Sequence, residues 1–116
     1  MKNTKERGIL RYLIYKDTRA DEYVGVCVDI GLIKVGTNNA NVKRDLINAS
    51  KGFVRTVCEQ NLSNGLLNQQ PPQQYMDIFN EIVESYKLKR INQATKDIIN
   101  EADTFSRTLP SLCLAT

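Results

Sequence analysis

RYLIYKD at Arg11–Asp17, YVGVCVDI at Tyr23–Ile30 and LIKVG at Leu32–Gly36 lead into NNANVKRDLINASKGFVRTVCE at Asn38–Glu59. This order predicts three strands followed by a helix. In the second run Val24, Val26 and Val28 alternate with Tyr23, Gly25 and Cys27, the period of a strand with one well-buried face. Gly25 and Cys27 are small, so a helix or a partner subunit is expected against the other face. The run ILRYLIYK is apolar on both parities, which fits a central strand or one covered on both sides. The polar connection TRADE between these two runs predicts a hairpin. Gly31 marks the turn before the third strand, and Gly36 closes that strand.

Beyond it, Val42, Leu46, Ala49, Phe53 and Val57 recur at helical spacing, with Asn38 or Asn39 as the N-cap. Gly52 inside this helix costs about 1 kcal/mol relative to alanine, and close packing on the sheet is the expected reason for it. Asn64-Gly65 is expected to stop the helix, and Pro71-Pro72 to exclude helix until the next one begins. Leu66 and Leu67 are candidates for a short fourth strand. Tyr75, Phe79, Ile82 and Tyr86, broadened by Met76 and Val83, form a second apolar stripe. A third stripe joins Ile91, Ala94, Ile98, Ala102 and Phe105. The segment KLKR at 87–90 either bends one long helix or separates two.

The resulting expectation is an α+β fold, a three-stranded antiparallel sheet with a candidate fourth strand, packed by one long helix and followed by one or two C-terminal helices. It divides into a core at 1–62, a Gln/Pro-rich connection at 63–74 and a helical extension at 75–116. One small sheet and one helix leave two further stripes and the apolar LPSLCLAT tail to cover. The face at Ile91, Ala94, Ile98, Ala102 and Phe105 is therefore the candidate surface for a homo-oligomer or a partner.

Composition narrows the chemistry. The 116 residues contain no histidine, which removes Ser-His-Asp and Cys-His catalysis and every His-ligated metal. Cys27, Cys58 and Cys113 are widely separated and form no CxxC pair, so no zinc site or disulfide framework is expected. Cys27 and Cys58 read as buried free thiols of a cytoplasmic protein. No apolar run has the length of a membrane span. No cofactor or metal is implied, and no enzymatic activity.

VDIGLIKVG resembles the strand-Asp-x-Gly phosphate loop of sugar kinases and actin-like ATPases. Those enzymes need two large domains, so Asp29-Ile30-Gly31 reads instead as a strand end and turn. Asp17, Asp21, Glu22 and Asp29 cluster in sequence, but a hairpin puts Asp17 and Asp29 at opposite ends, so they form no metal-dependent nuclease centre. The net charge of +3 is uneven, with residues 1–62 at +4 and residues 63–116 at −1. Arg11, Lys34, Lys43 and Arg44 are the candidate contacts to nucleic acid or to an acidic partner.

The unit from Arg11 to Phe53 resembles the HicB-like family. The matching residues are Tyr12–Asp17, then Tyr23-Val24-Gly25-Val26-Cys27-Val28-Asp29-Ile30, then Ile33–Gly36 ahead of the helix. NQQPPQQYMDIF is similar to the proline-aromatic segment of orphan members that lack a toxin neighbour. Where the family opens its helix with Gly-x-Thr/Ser-x-x-Glu-Ala, this chain keeps Gly36 and has Asn38, Asn41 and Val42 at the other places. The resemblance implies a reduced ribonuclease-H-like topology without catalytic acids, an oligomerising binding module, and in a true antitoxin a small basic mRNA-cleaving toxin as partner.

Overall fold

The computed structural model describes residues 2–88 and 99–109, with side chains over 2–84 and 104–107. Strands β1 (Gly8–Asp17), β2 (Glu22–Cys27) and β3 (Leu32–Gly36) precede helix α1 (Asn39–Glu59). Helix α2 (Gln73–Leu88) and strand β4 (Ile99–Leu109) complete the fold. The sheet is antiparallel in the order β3-β2-β1-β4.

β1 is central, as its apolar double parity demands. Leu10 and Tyr12 enter one core with Cys27, Leu46, Val54, Val57 and Leu67, on the face covered by α1. Leu13 and Tyr15 enter another with Val24, Val26, Val28, Phe79 and Ile82, on the face covered by α2. The three valines of β2 thus share the α2 face. A Cβ on Gly25 would lie 3.0 Å from Val42 and 3.1 Å from Leu46, so α1 closes directly onto the other face. The result is three layers, with the sheet between the two helices.

Asp17 pairs with Glu22 at one end of the first hairpin, and Asp29 reaches Arg11 at the other, so these carboxylates are far apart as antiparallel geometry requires. Asp21 adopts φ 54°, which aspartate tolerates in a tight turn. Gly31 adopts φ 70° in the next turn, where an added Cβ would meet the carbonyl oxygens of Gln69 and Gln70 at 3.4 Å.

Asn38 caps α1 by accepting a hydrogen bond from the Asn41 N–H at 3.0 Å. The helix stops earlier than Asn64-Gly65. Asn61 takes the left-handed conformation at φ 49°, the Asn61 N–H donates to Cys58 O, and the Leu62 N–H donates to Val57 O at 2.9 Å. This is a Schellman ending with asparagine in the place usual for glycine. The fully buried line along α1 is Val42, Leu46, Ser50, Val54 and Val57, so Ala49 and Phe53 lie at its margin, half-buried. Ser50 is buried because it donates to Ile47 O at 2.8 Å and lies 2.6 Å from the Tyr12 hydroxyl. With its own proton on Ile47, Ser50 accepts from Tyr12.

Three expectations are corrected. Leu66 and Leu67 lie in a short 3-10 helix, Asn64–Leu67, not in a strand, and Leu67 is fully buried. Gly52 is exposed, and a Cβ there would have nothing within 4 Å, so packing on the sheet does not account for it. The stripe through Ala102 and Phe105 is no helix: both belong to β4, the fourth strand, and Ile91, Ala94 and Ile98 lie outside the described residues. Ala102 pairs with Tyr15 and Phe105 with Tyr12, residues of opposite sheet faces. Three residues apart means one side of a helix but opposite sides of a strand. Pairing with the unpaired edge of β1 overrides the local helical periodicity.

Two measurements follow. Gly52→Ala should raise the free energy of unfolding by about 0.4–1 kcal/mol in a denaturant titration, since the added methyl meets nothing and restricts the unfolded chain. Ser50→Ala leaves the buried Tyr12 hydroxyl without its acceptor and should cost about 1–3 kcal/mol. Adding Tyr12→Phe to that variant should recover part of the loss; no recovery would mean that the pair is not coupled.

Candidate functional site

The candidate contacts do not form one patch. Arg11 projects on the α2 face, where its guanidinium lies 2.8 Å from Asp29 Oδ1 and 5.5 Å from the centre of the Phe79 ring. The Arg11 backbone N–H also donates to Asp29 Oδ2 at 2.6 Å. Asp29 is thereby committed to holding a turn against β1, and its own carbonyl accepts from the Gln69 N–H at 2.7 Å. Here the chain crosses from one face of the sheet to the other. Leu67 sits in the α1-side core, and Tyr75 and Met76 pack on the α2 side. Asn3 and Asn68 bind each other and the neighbouring backbone beside this crossing. A cleft of about 240 Å³ beside the crossing is lined by Lys2, Arg11, Asp29, Asn68, Gln70 and Met76 among others.

Lys43 and Arg44 lie on α1. The Lys43 ammonium sits 4.6 Å over the ring of Phe105, which stacks on Tyr12 at 4.7 Å. Phe105 therefore does not form an apolar seam. It extends the α1-side core onto β4 and positions a lysine. Arg44 is exposed beside Asp45 at 3.5 Å. Lys34 belongs to β3 and pairs with Gly25, which places it on the α1 face near the sheet edge.

The helical layers carry opposite charge. α1 contributes Lys43, Arg44, Lys51 and Arg55 against Asp45 and Glu59, a balance of +2; α2 contributes Asp77, Glu81 and Glu84 against Lys87, a balance of −2. Asp77 and Glu84 are exposed. Among the described residues, the helical layer on one side of the sheet is net basic and the layer on the other side is net acidic. The sequence shows both sets of charges, but only the placement of α2 on the opposite face separates them in space.

β3 ends the sheet on one side, with Val35 54% exposed. The sequence pattern drew attention to the C-terminal stripe as the candidate interaction face and did not single out this edge. The signal was available: LIKVG is short, follows a two-strand hairpin and is succeeded by no further strand before α1.

The cysteines divide. Cys27 is free and fully buried, and burial pushes its thiol up to about 12. Cys58, expected as a buried free thiol, is half-buried and disulfide-bonded. Burial also pushes the Tyr12 and Tyr15 hydroxyls up to about 12. Among the described residues no helix is long and apolar enough to cross a membrane, and no group of three or more His, Cys, Asp or Glu side chains converges as a metal site. No family model, curated protein or solved structure matches this chain.

The folded protein holds protons on Cys27, Tyr12 and Tyr15 that the unfolded chain releases from about 9 and 10 upward. The contribution of these three groups to stability should be constant up to about pH 9 and fall between about 9 and 12, because there the native state binds more protons. Denaturant titrations across this range, with tyrosinate absorbance followed in parallel, measure it; stability that rises above pH 9 contradicts the assignment.

Proposed function

We propose that this chain is a non-enzymatic protein-binding module of the HicB type, whose acidic α2 face receives a small basic partner protein. The observation that carries the reading is the separation of charge across the sheet, −2 on α2 and +2 on α1. A surface of one sign speeds encounter with partners of the opposite sign and excludes partners of its own. The α+β architecture, with three antiparallel strands and a helix leading the chain, accords with the HicB-like resemblance of Arg11–Phe53. In that family a basic mRNA-cleaving toxin is a partner of the required charge. Asp29, the carboxylate of the kinase-like string, is engaged by Arg11, which supports a structural role rather than a catalytic one.

Affinity capture with the full chain from its native host at low salt should retain a small basic protein, identified by mass spectrometry. Retention should weaken as salt rises and should disappear when Asp77 and Glu84 are both replaced by lysine. Both positions are exposed, so the variant should keep its fold. Retention unchanged by the double reversal overturns the proposal.

A second reading uses the basic face. Lys43 and Arg44 on α1 are joined there by Arg107, exposed on β4 at the register position of Leu10. A polyanion held by this face would bind with steep salt dependence. Passage through heparin without retention at low salt removes this alternative.

A further inference from the structure

We infer that the chain forms a two-fold homodimer in which β3 pairs antiparallel with β3 of a second copy, making one continuous eight-stranded sheet with the two α1 helices side by side. This surface is distinct from the acidic face of α2. An edge strand presents a row of backbone N–H and C=O groups toward solvent, which a second strand satisfies. Among the described residues Leu32–Gly36 is such an edge, and its Val35 is the most exposed large apolar residue.

The position of α1 identifies the occupant as a second copy. Val42 of α1 touches the Cβ positions of both Gly25 on β2 and Gly36 on β3, so the helix axis runs between those two strands. A two-fold axis normal to the sheet would add one inter-strand spacing between the edges, and half a spacing on each side reaches the helices. With strands about 4.8 Å apart, the α1 axes would lie about 10 Å apart. Helices pack at about 8–10 Å, so pairing the strands brings the helices into contact without moving either.

The flank of α1 that would meet its mate fits that distance. Lys43 marks the flank toward β4, because it lies over Phe105. The opposite flank, toward β3, is Asp45, Ala49, Gly52 and Thr56. None of these has a long side chain, and Gly52 has nothing within 4 Å of its Cβ position. The glycine that packing inside one chain does not explain leaves room for the start of α1 in the other.

Charge then selects the register. The pleat of a continuous sheet requires directly opposed residues to share a face, so the two-fold axis passes through a residue of β3. An axis at Lys34 opposes two lysines, which is unfavourable. An axis at Val35 buries the exposed valine against its counterpart and opposes Lys34 to Gly36. Because Val42 and Leu46 lie over this part of the sheet, Asp45 stands near the same axis. Each copy then brings Asp45, with its own Arg44 beside it at 3.5 Å, toward the Lys34 side chains of the pair.

The full chain should elute in light-scattering chromatography at twice its 13.2 kDa mass. Val35→Asp places a charge on the axis, and Gly52→Leu fills the flank with a good helix former. Each should raise the dimer dissociation constant at least tenfold while circular dichroism still reports a folded chain. Glu84→Lys, on α2 rather than on β3 or α1, should leave the dimer intact. Hydrogen exchange at Ile33–Val35 should slow as concentration rises. A wild-type monomer at about 100 μM overturns the inference, since a dimer of mid-micromolar affinity is populated there. A dimer indifferent to both substitutions overturns this interface. Neither outcome bears on basic-partner capture, which Asp77 and Glu84 report separately.

Discussion

The structure depends on the burial of both faces of β1. Leu10 and Tyr12 on one parity and Leu13 and Tyr15 on the other are all at most 3% exposed. Burying a large apolar side chain contributes roughly 1.5–3 kcal/mol, and leaving either set in water forfeits several such terms. A three-stranded sheet with one helix satisfies only one parity. The second parity is satisfied when the chain passes around the end of the sheet and lays α2 across it. β4 then occupies the free edge of β1, so the most apolar strand is flanked by strands and covered by helices.

The passage around the sheet end is therefore as important as the helices. It is assembled from short polar contacts: Arg11 with Asp29, the Gln69 N–H on the Asp29 carbonyl, and Asn3 with Asn68. Asp29 is well covered, with its side chain 13% exposed. An aspartate in a sequence context similar to a phosphate loop is thus used to join a turn to a neighbouring strand. Its binding partners are a backbone N–H and a guanidinium, which together occupy both carboxylate oxygens.

The same passage has an electrostatic consequence. Because α2 reaches the far face, its carboxylates are held away from the cations of α1 by the thickness of the intervening sheet. Had α2 packed beside α1, the two sets would have neutralised each other at short range. The opposed faces and the open β3 edge give the molecule three chemically different surfaces: one basic, one acidic, and one offering backbone hydrogen bonds beside an exposed valine.

The sequence by itself determined the three leading strands, the long helix and its asparagine cap, because period-two and period-3.6 patterns report local burial directly. The double parity of ILRYLIYK pointed to a central or two-sided β1, and the small residues Gly25 and Cys27 to a covering helix or a partner subunit. The fate of Ala102 and Phe105 was not legible. Their spacing suits a helix, and only the vacant edge of β1, brought close by residues far away in the chain, turns the segment into β4. Gly52 was legible as unusual but not in its exposure, and Cys58 gave no sign that it is disulfide-bonded. Local periodicity records what a residue's neighbours in sequence require. Which edge remains unpaired, and which charges end on opposite faces, depends on contacts between distant segments, and only the tertiary structure decides those.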